Sequence, residues 1–144
     1  MPSMKILLIA GGWSSEREVS LTGARGMQEA LLKRGHAVTF FDLLENFDEL
    51  LETARQHDFA LINLHGSPGE DGLVQAMLEK AGCPYQGSGP SGSFLALNKA
   101  AAKQIFRMAG LPTADWEFLP VRPAEGWEPR LPWPLFVKTT TGGS

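Results

Sequence analysis

The chain has 144 residues, 43% of them hydrophobic and 20% charged, with a net charge of -3. That length buries a real core, and the lack of a basic surplus excludes nucleic acid and anionic membrane as general partners. No apolar run approaches a membrane span and Lys5 precedes only Ile6 to Ala10 before two glycines, so no leader pattern is present and a cytoplasmic location is expected.

Lys5 to Ala10 is a short run of strand formers broken by Gly11-Gly12, and predicts the first strand. Ser15 with Glu18 has capping-box spacing and opens an amphipathic helix from Glu16 to Arg34 that Gly35 ends. Gly23 and Gly26 each cost that helix roughly 1 kcal/mol relative to alanine, which implies that it lies very close to the sheet. Ala37 to Asp42 predicts a second strand, Asp48 to Arg55 a short helix, and Phe59 to Leu64 a third strand, interrupted only by Asn63. Such alternation of strands and helices makes a parallel sheet.

The third strand ends abruptly at His65-Gly-Ser-Pro-Gly-Glu-Asp-Gly72, a polar loop. Leu73 to Ala81 predicts a helix, Pro84 to Gly87 a short fourth strand, and Pro90 to Leu97 a further helix. Asn98 is suited to cap the next one, Lys99 to Ala109, which Gly110 and Pro112 terminate. Beyond Pro112 the chain is rich in proline and tryptophan, with strands expected at Trp116 to Leu119 and at Leu135 to Lys138, followed by the hydroxyl- and glycine-rich run Thr139 to Ser144. No partner for the Leu135 strand remains in the sequence, so the chain is expected to be part of something longer.

Each candidate residue has a structural alternative. Glu16 in a first helical turn favours the macrodipole, and on a sheet rim it also suits an ammonium ligand. His65 ends a strand and has no second histidine at metal spacing, since His36 and His57 lie at the other end of the sheet, which disfavours zinc. Glu70 and Asp71 suit caps of the next helix, Arg17 a surface pair, and Lys99 with Lys103 a solvated helix edge. Cys83, the only cysteine, sits between Gly82 and Pro84 and reads as a packed small hydrophobe. Lys138 before a flexible loop suits phosphate, although it is no Walker motif. Asp42 alone is a weak ribose ligand and Gly11 to Glu16 lacks the dinucleotide fingerprint, which disfavours a nicotinamide enzyme.

Taken together, GGWSSEREVSL from Gly11, LHGSPGEDGLVQAMLEKAGCPYQGSG from Leu64, LALNKAAAKQIFRMAGLP from Leu95 and PLFVK from Pro134 resemble D-alanine-D-alanine ligase nearly end to end. The resemblance implies an α/β fold: a Rossmann-like (pre-ATP-grasp) three-layer domain with a parallel four-stranded sheet over residues 1-98, then a linking helix and the start of an incomplete ATP-grasp central domain over 99-144. With strand order 2-1-3-4, Glu16 and His65 are expected to share a crevice at the strands' carboxyl ends.

The activity implied is ATP-dependent joining of two D-alanines through an acyl phosphate, for peptidoglycan precursor synthesis. Glu16 matches the family residue that holds the first D-alanine's ammonium, and His65 the one near its carboxylate. Lys99 and Lys138 match the lysines that contact ATP phosphates, and Ser144 the catalytic serine of a loop over the site. Magnesium is implied with its ligands outside this chain, and a homodimer is the family's common state. Thr139 and Gly142 depart from the family's loop, as do Asn98 and Trp13 from its usual residues. Without the metal and adenine sites the chain is expected to be inactive alone. The alternatives are a free-standing, non-catalytic binding module and another ATP-grasp amino-acid ligase with a different second substrate.

Overall fold

The computed structural model describes residues 2–142. Strand β1 (Lys5–Ala10) is the centre of a parallel sheet in the order β2-β1-β3, with β2 at Ala37–Asp42 and β3 at Phe59–Ile62. In register, Ile6 faces Val38 on one side and Phe59 on the other, and Ile9 faces Phe41 and Ile62. Because side chains alternate along a strand, β1 feeds two cores. Leu7 and Ile9 point into one with Leu43, Leu50, Ala54, Val74 and Leu78, while Leu8 and Ala10 point into the other with Ala24 and Leu21. Five consecutive residues, Ile6 to Ala10, are therefore buried.

The first core is closed by α2 (Leu43–Asn46), α3 (Leu50–Ala54) and α4 (Leu73–Ala81), and the second by α1 (Arg17–Lys33), so helices cover both faces of the sheet. A single 3-10 turn, Phe47–Glu49, joins α2 to α3 where one short helix was predicted. Helices α5 (Pro90–Leu97) and α6 (Lys99–Met108) follow. Asn98 caps α6 as expected, its Oδ1 accepting from Ala101 N at 3.0 Å. None of the α helices is long and apolar enough to cross a membrane among the described residues.

Five expectations are corrected. The sheet has three strands, not four: Tyr85 forms only an isolated parallel bridge to Ala60. Pro84 has no N–H to give the ladder, although its carbonyl accepts from Ala60 N at 2.8 Å. One step further, the Gln86 side chain replaces the backbone, accepting from Ile62 N at 2.9 Å and donating to Ile62 O at 2.6 Å. Satisfying β3's edge with a side-chain amide ends the ladder after one bridge.

The expected strands at Trp116 to Leu119 and Leu135 to Lys138 do not form. No strand among the described residues lies beside them, and Phe136 and Val137 are 95% and 92% exposed. With no strand at Leu135, an unpaired edge there no longer supports a longer chain. The capping box at Ser15 and Glu18 is also not made: α1 begins at Arg17, and its first turn is held instead by Ser14, whose Oγ accepts from Glu16 N and whose carbonyl accepts from Arg17 N, both at 3.2 Å.

The close approach of α1 is seen at Gly23, where a Cβ would lie 3.1 Å from Asn63 Nδ2, but Gly26 faces open space. Fully buried Ser20, one turn earlier, locks the helix down. Its Oγ accepts from Gly11 N at 2.8 Å and donates to the Asn63 carbonyl, while Asn63 Nδ2 donates to Ser20 O at 2.7 Å. Ser20→Ala would leave the buried Gly11 N–H and the half-buried Asn63 carbonyl unpaired and is expected to lower stability by about 1–3 kcal/mol, read as a lower urea midpoint at unchanged slope.

Candidate functional site

The carboxyl ends of β1 and β3 each release a loop, and α1 is stapled across both, so the loops meet. A Cβ built on Gly66 would lie 3.4 Å from Ser14 Cβ and 3.9 Å from Glu16 Oε2. The Glu16 carboxylate thus faces the side of Gly66, the residue after His65, on which a side chain would stand. Glu16 precedes the first turn of α1 and its side chain does not cap that helix. No ion pair among the described residues uses it. A carboxylate so placed is free to receive a cation, and both it and His65 are half-buried.

Glu16 is held in place through its neighbour. Arg17 makes a two-pronged pair with Asp42 at the end of β2, Nη1 to Oδ1 and Nη2 to Oδ2, both at 2.7 Å. The pair lies flat over Gly11, where any Cβ would overlap Arg17 Nη1. Asp42 also accepts from Leu44 N at 3.2 Å and so caps α2. The hydrogen bond from Arg17 holds the Asp42 carboxyl below its ordinary range, and the same bond raises the Arg17 guanidinium. Asp42 is therefore committed to Arg17, and the ribose reading is dropped. Trp13, on the same rim, packs edge-on to Phe47 with ring centroids 5.4 Å apart.

In the second loop, Leu64, Gly66, Pro68 and Gly69 are all buried. The N-cap of α4 is Gly72, and Asp71 just before it bonds the first turn, its Oδ1 accepting from Leu73 N at 3.0 Å and its Oδ2 from Ser67 Oγ. Glu70 is exposed and has no such bond. Beyond it opens a cleft of about 880 Å³ that Glu70 and Gln75 share with Lys99, Lys138, Thr139 and Gly142. The Lys99 ammonium donates to the Gly142 carbonyl at 2.6 Å, and Lys99 N donates to Thr140 O at 2.9 Å. These contacts bring the start of α6 to the run after Lys138.

Lys103 is no solvated edge: its ammonium binds Thr113 Oγ1 at 3.0 Å and Ala114 O at 2.8 Å, and fixes the exit from α6. Burial pushes the Cys83 thiol up, as suits a packed residue. His57 bonds Thr53 O and Thr39 Oγ1, and His36 Nδ1 accepts from Met4 N, both at the far ends of the strands. Ser144 lies outside the described residues.

The rim thus presents a free carboxylate beside a histidine loop, and a neighbouring cleft presents two ammonium groups. That is an α/β arrangement fit to hold a small cation-bearing ligand next to an anion. No family model matches the chain. It is 77% identical over 141 residues to the D-alanine–D-alanine ligase of Desulfovibrio desulfuricans, a match covering 98% of this chain and 46% of that one. With the ligase of Lawsonia intracellularis it shares 57% identity over 98% of this chain and 47% of that one. Among solved structures, the Bacillus anthracis D-alanine–D-alanine ligase complexed with ATP is similar at a TM-score of 0.75 and 38% identity, over 86% of this chain and 43% of that chain. Over 98% of its length the chain is similar to D-alanine–D-alanine ligases, and it spans just under half the length of the curated relatives it matches.

Asp42→Asn tests the rim pair. A carboxyl whose pKa is depressed by folding adds stability above its unfolded value of about 4, and that contribution is lost as pH falls through the folded value. The variant is expected to be less stable at pH 7 and to lose less on acidification than the parent, in urea titrations at stepped pH. Equal acid limbs would show that the pair contributes nothing.

Proposed function

We propose that the protein containing this chain is an ATP-dependent D-alanine–D-alanine ligase, and that residues 1–142 supply its first amino-acid site and part of its phosphate site. The observation that carries this reading is that the Glu16 carboxylate lies 3.9 Å from where a side chain on Gly66, next to His65, would begin, in a chain 77% identical to a protein of that name.

A zwitterionic amino acid needs a carboxylate for its ammonium, and Glu16 offers one with no competing partner. His65, on the same rim, is assigned to the amino acid's carboxylate, where an imidazole N–H donor neutralises charge as phosphate is transferred to it. Lys99 and Lys138 are assigned to the ATP phosphates, since phosphoryl transfer is catalysed mainly by positioning and charge neutralisation. Lys99 must exchange the Gly142 carbonyl for phosphate oxygen to do so. An amine then attacks the acyl phosphate carbonyl, and phosphate leaves to give the dipeptide. Ser144 is assigned to the loop over that site.

ATP enters as substrate. Magnesium would supply further neutralisation of its phosphates, but no group of three or more acidic, histidine or cysteine ligands occurs among the described residues, and none of its ligands is assigned here. In this reading residues 1–98 form a Rossmann-like substrate domain and 99–144 lead into an ATP-grasp central domain. Cytoplasmic location, homodimeric assembly and supply of dipeptide for peptidoglycan follow from the same reading.

Glu16→Gln keeps the shape and removes the charge, and in the protein as its cell makes it should raise the KM for D-alanine by about tenfold or more, or about 1.4 kcal/mol, with the ATP KM little changed. Unaltered D-alanine kinetics would refute the assignment. Lys138→Ala should act the other way, raising the ATP requirement while the thermal midpoint stays within a degree or two, as expected for an exposed side chain; wild-type nucleotide kinetics would remove Lys138 from the phosphate site.

A further inference from the structure

Gln75, in the first turn of α4, is 6% exposed and donates from Nε2 to the Gly69 carbonyl at 2.6 Å. Its Oε1 is buried and has no hydrogen-bond partner among the described residues. The orientation of the amide is forced, because only the nitrogen can donate to a carbonyl. Buried acceptors without a donor are uncommon, and the other buried apolar positions of α4, Val74 and Leu78, show what the inward face of the helix otherwise carries. The amide is thus explained by what it holds rather than by the helix it stands on.

What it holds is the middle of the histidine loop. Gly69 packs on Leu64 so closely that any Cβ would overlap it. The next residue, Glu70, donates its N–H to the Gly66 carbonyl at 2.7 Å. Gly66 in turn is the residue against which Glu16 stands. A tie to Gly69 therefore constrains both the rim beside Glu16 and the direction in which Glu70 leaves toward the cleft, which Gln75 itself lines together with Lys99 and Lys138.

We propose that Gln75 is a positioning residue: through the Gly69 carbonyl it fixes the loop that carries His65 and Glu70, and its open Oε1 accepts from an ammonium group when the cleft is occupied. The loop role stands on geometry alone, whereas the ammonium role rests on the ligase reading. Two sources of ammonium fit, the Lys138 side chain and the amine of the incoming amino acid.

The test uses Gln75→Met, which fills the space without either polar atom, and Gln75→Glu, which at neutral pH can accept but not donate. In the protein as its cell makes it, the Glu70 amide should exchange with solvent about tenfold faster in both variants, with α1 amides unaltered. Unchanged Glu70 exchange in either folded variant overturns the loop role. In steady-state kinetics with ATP and D-alanine, Gln75→Met should lower kcat/KM by about tenfold. If Lys138→Met in the same molecule abolishes that effect, Lys138 is the donor; if the effects multiply and Gln75→Met raises the KM for D-alanine, the amine is. No change in kcat or either KM overturns the ammonium role. A parent protein without D-alanine-dependent ADP release would refute the ligase reading, and the exchange measurement would still decide the loop.

Discussion

The site depends on one buried hydroxyl. Ser20 Oγ takes the N–H of Gly11, just past β1, and gives its proton to the carbonyl of Asn63, just past β3. These two backbone groups stand where the ladder between β1 and β3 runs out, and a polar group left unpaired there would carry its full desolvation cost. Using one side chain on α1 for both draws the helix across the ends of two strands. The consequence is functional as well as structural: the helix that Glu16 precedes is pinned to the strand that leads to His65. Adjacent parallel strands would bring the loops near one another in any case, but the Ser20 bridge sets how near.

The Arg17 and Asp42 pair completes this from the other side. It spans from the first turn of α1 to the end of β2 and lies over Gly11. Glu16 is thus bracketed, with Ser14 holding its backbone N–H before it and Arg17 anchored after it. Its carboxylate is left over from all of these bonds. A rim built to immobilise the backbone of an acid while leaving its charge unpaired is what recognition of a cationic group requires, since a carboxylate already in an ion pair has little to offer a ligand.

The sequence carried the strands and helices well where periodicity was strong. β1 is a solid apolar run because both faces are covered, and α4 and α5 fall on their predicted spans, with α6 one residue short at Met108, because glycine, proline and Asn98 mark their ends. It failed where the answer lay in a side chain replacing backbone. Gln86 takes the place of a fourth strand, Ser14 replaces the capping box, and neither has a periodic signature. Asn63 had a signal, as the lone polar residue in the apolar run from Phe59 to Leu64, and its partner Ser20 could have been sought on the α1 face near Gly23. Gln75 likewise interrupts an apolar helical stripe. The expected strands after Pro112 failed for another reason: strand propensity needs a neighbour, and among the described residues Phe136 and Val137 have none.

On this reading the loops after β1 and β3 form one amino-acid site with Glu16 as its cation receptor. This is tested most directly by a crystal structure of the protein as its cell makes it, soaked with D-alanine and a non-hydrolysable ATP analogue. The expected density places the D-alanine nitrogen within hydrogen-bond distance of the Glu16 carboxylate and its carboxylate on the His65 side. D-alanine bound with its nitrogen on any other acid, Glu70 included, would contradict it.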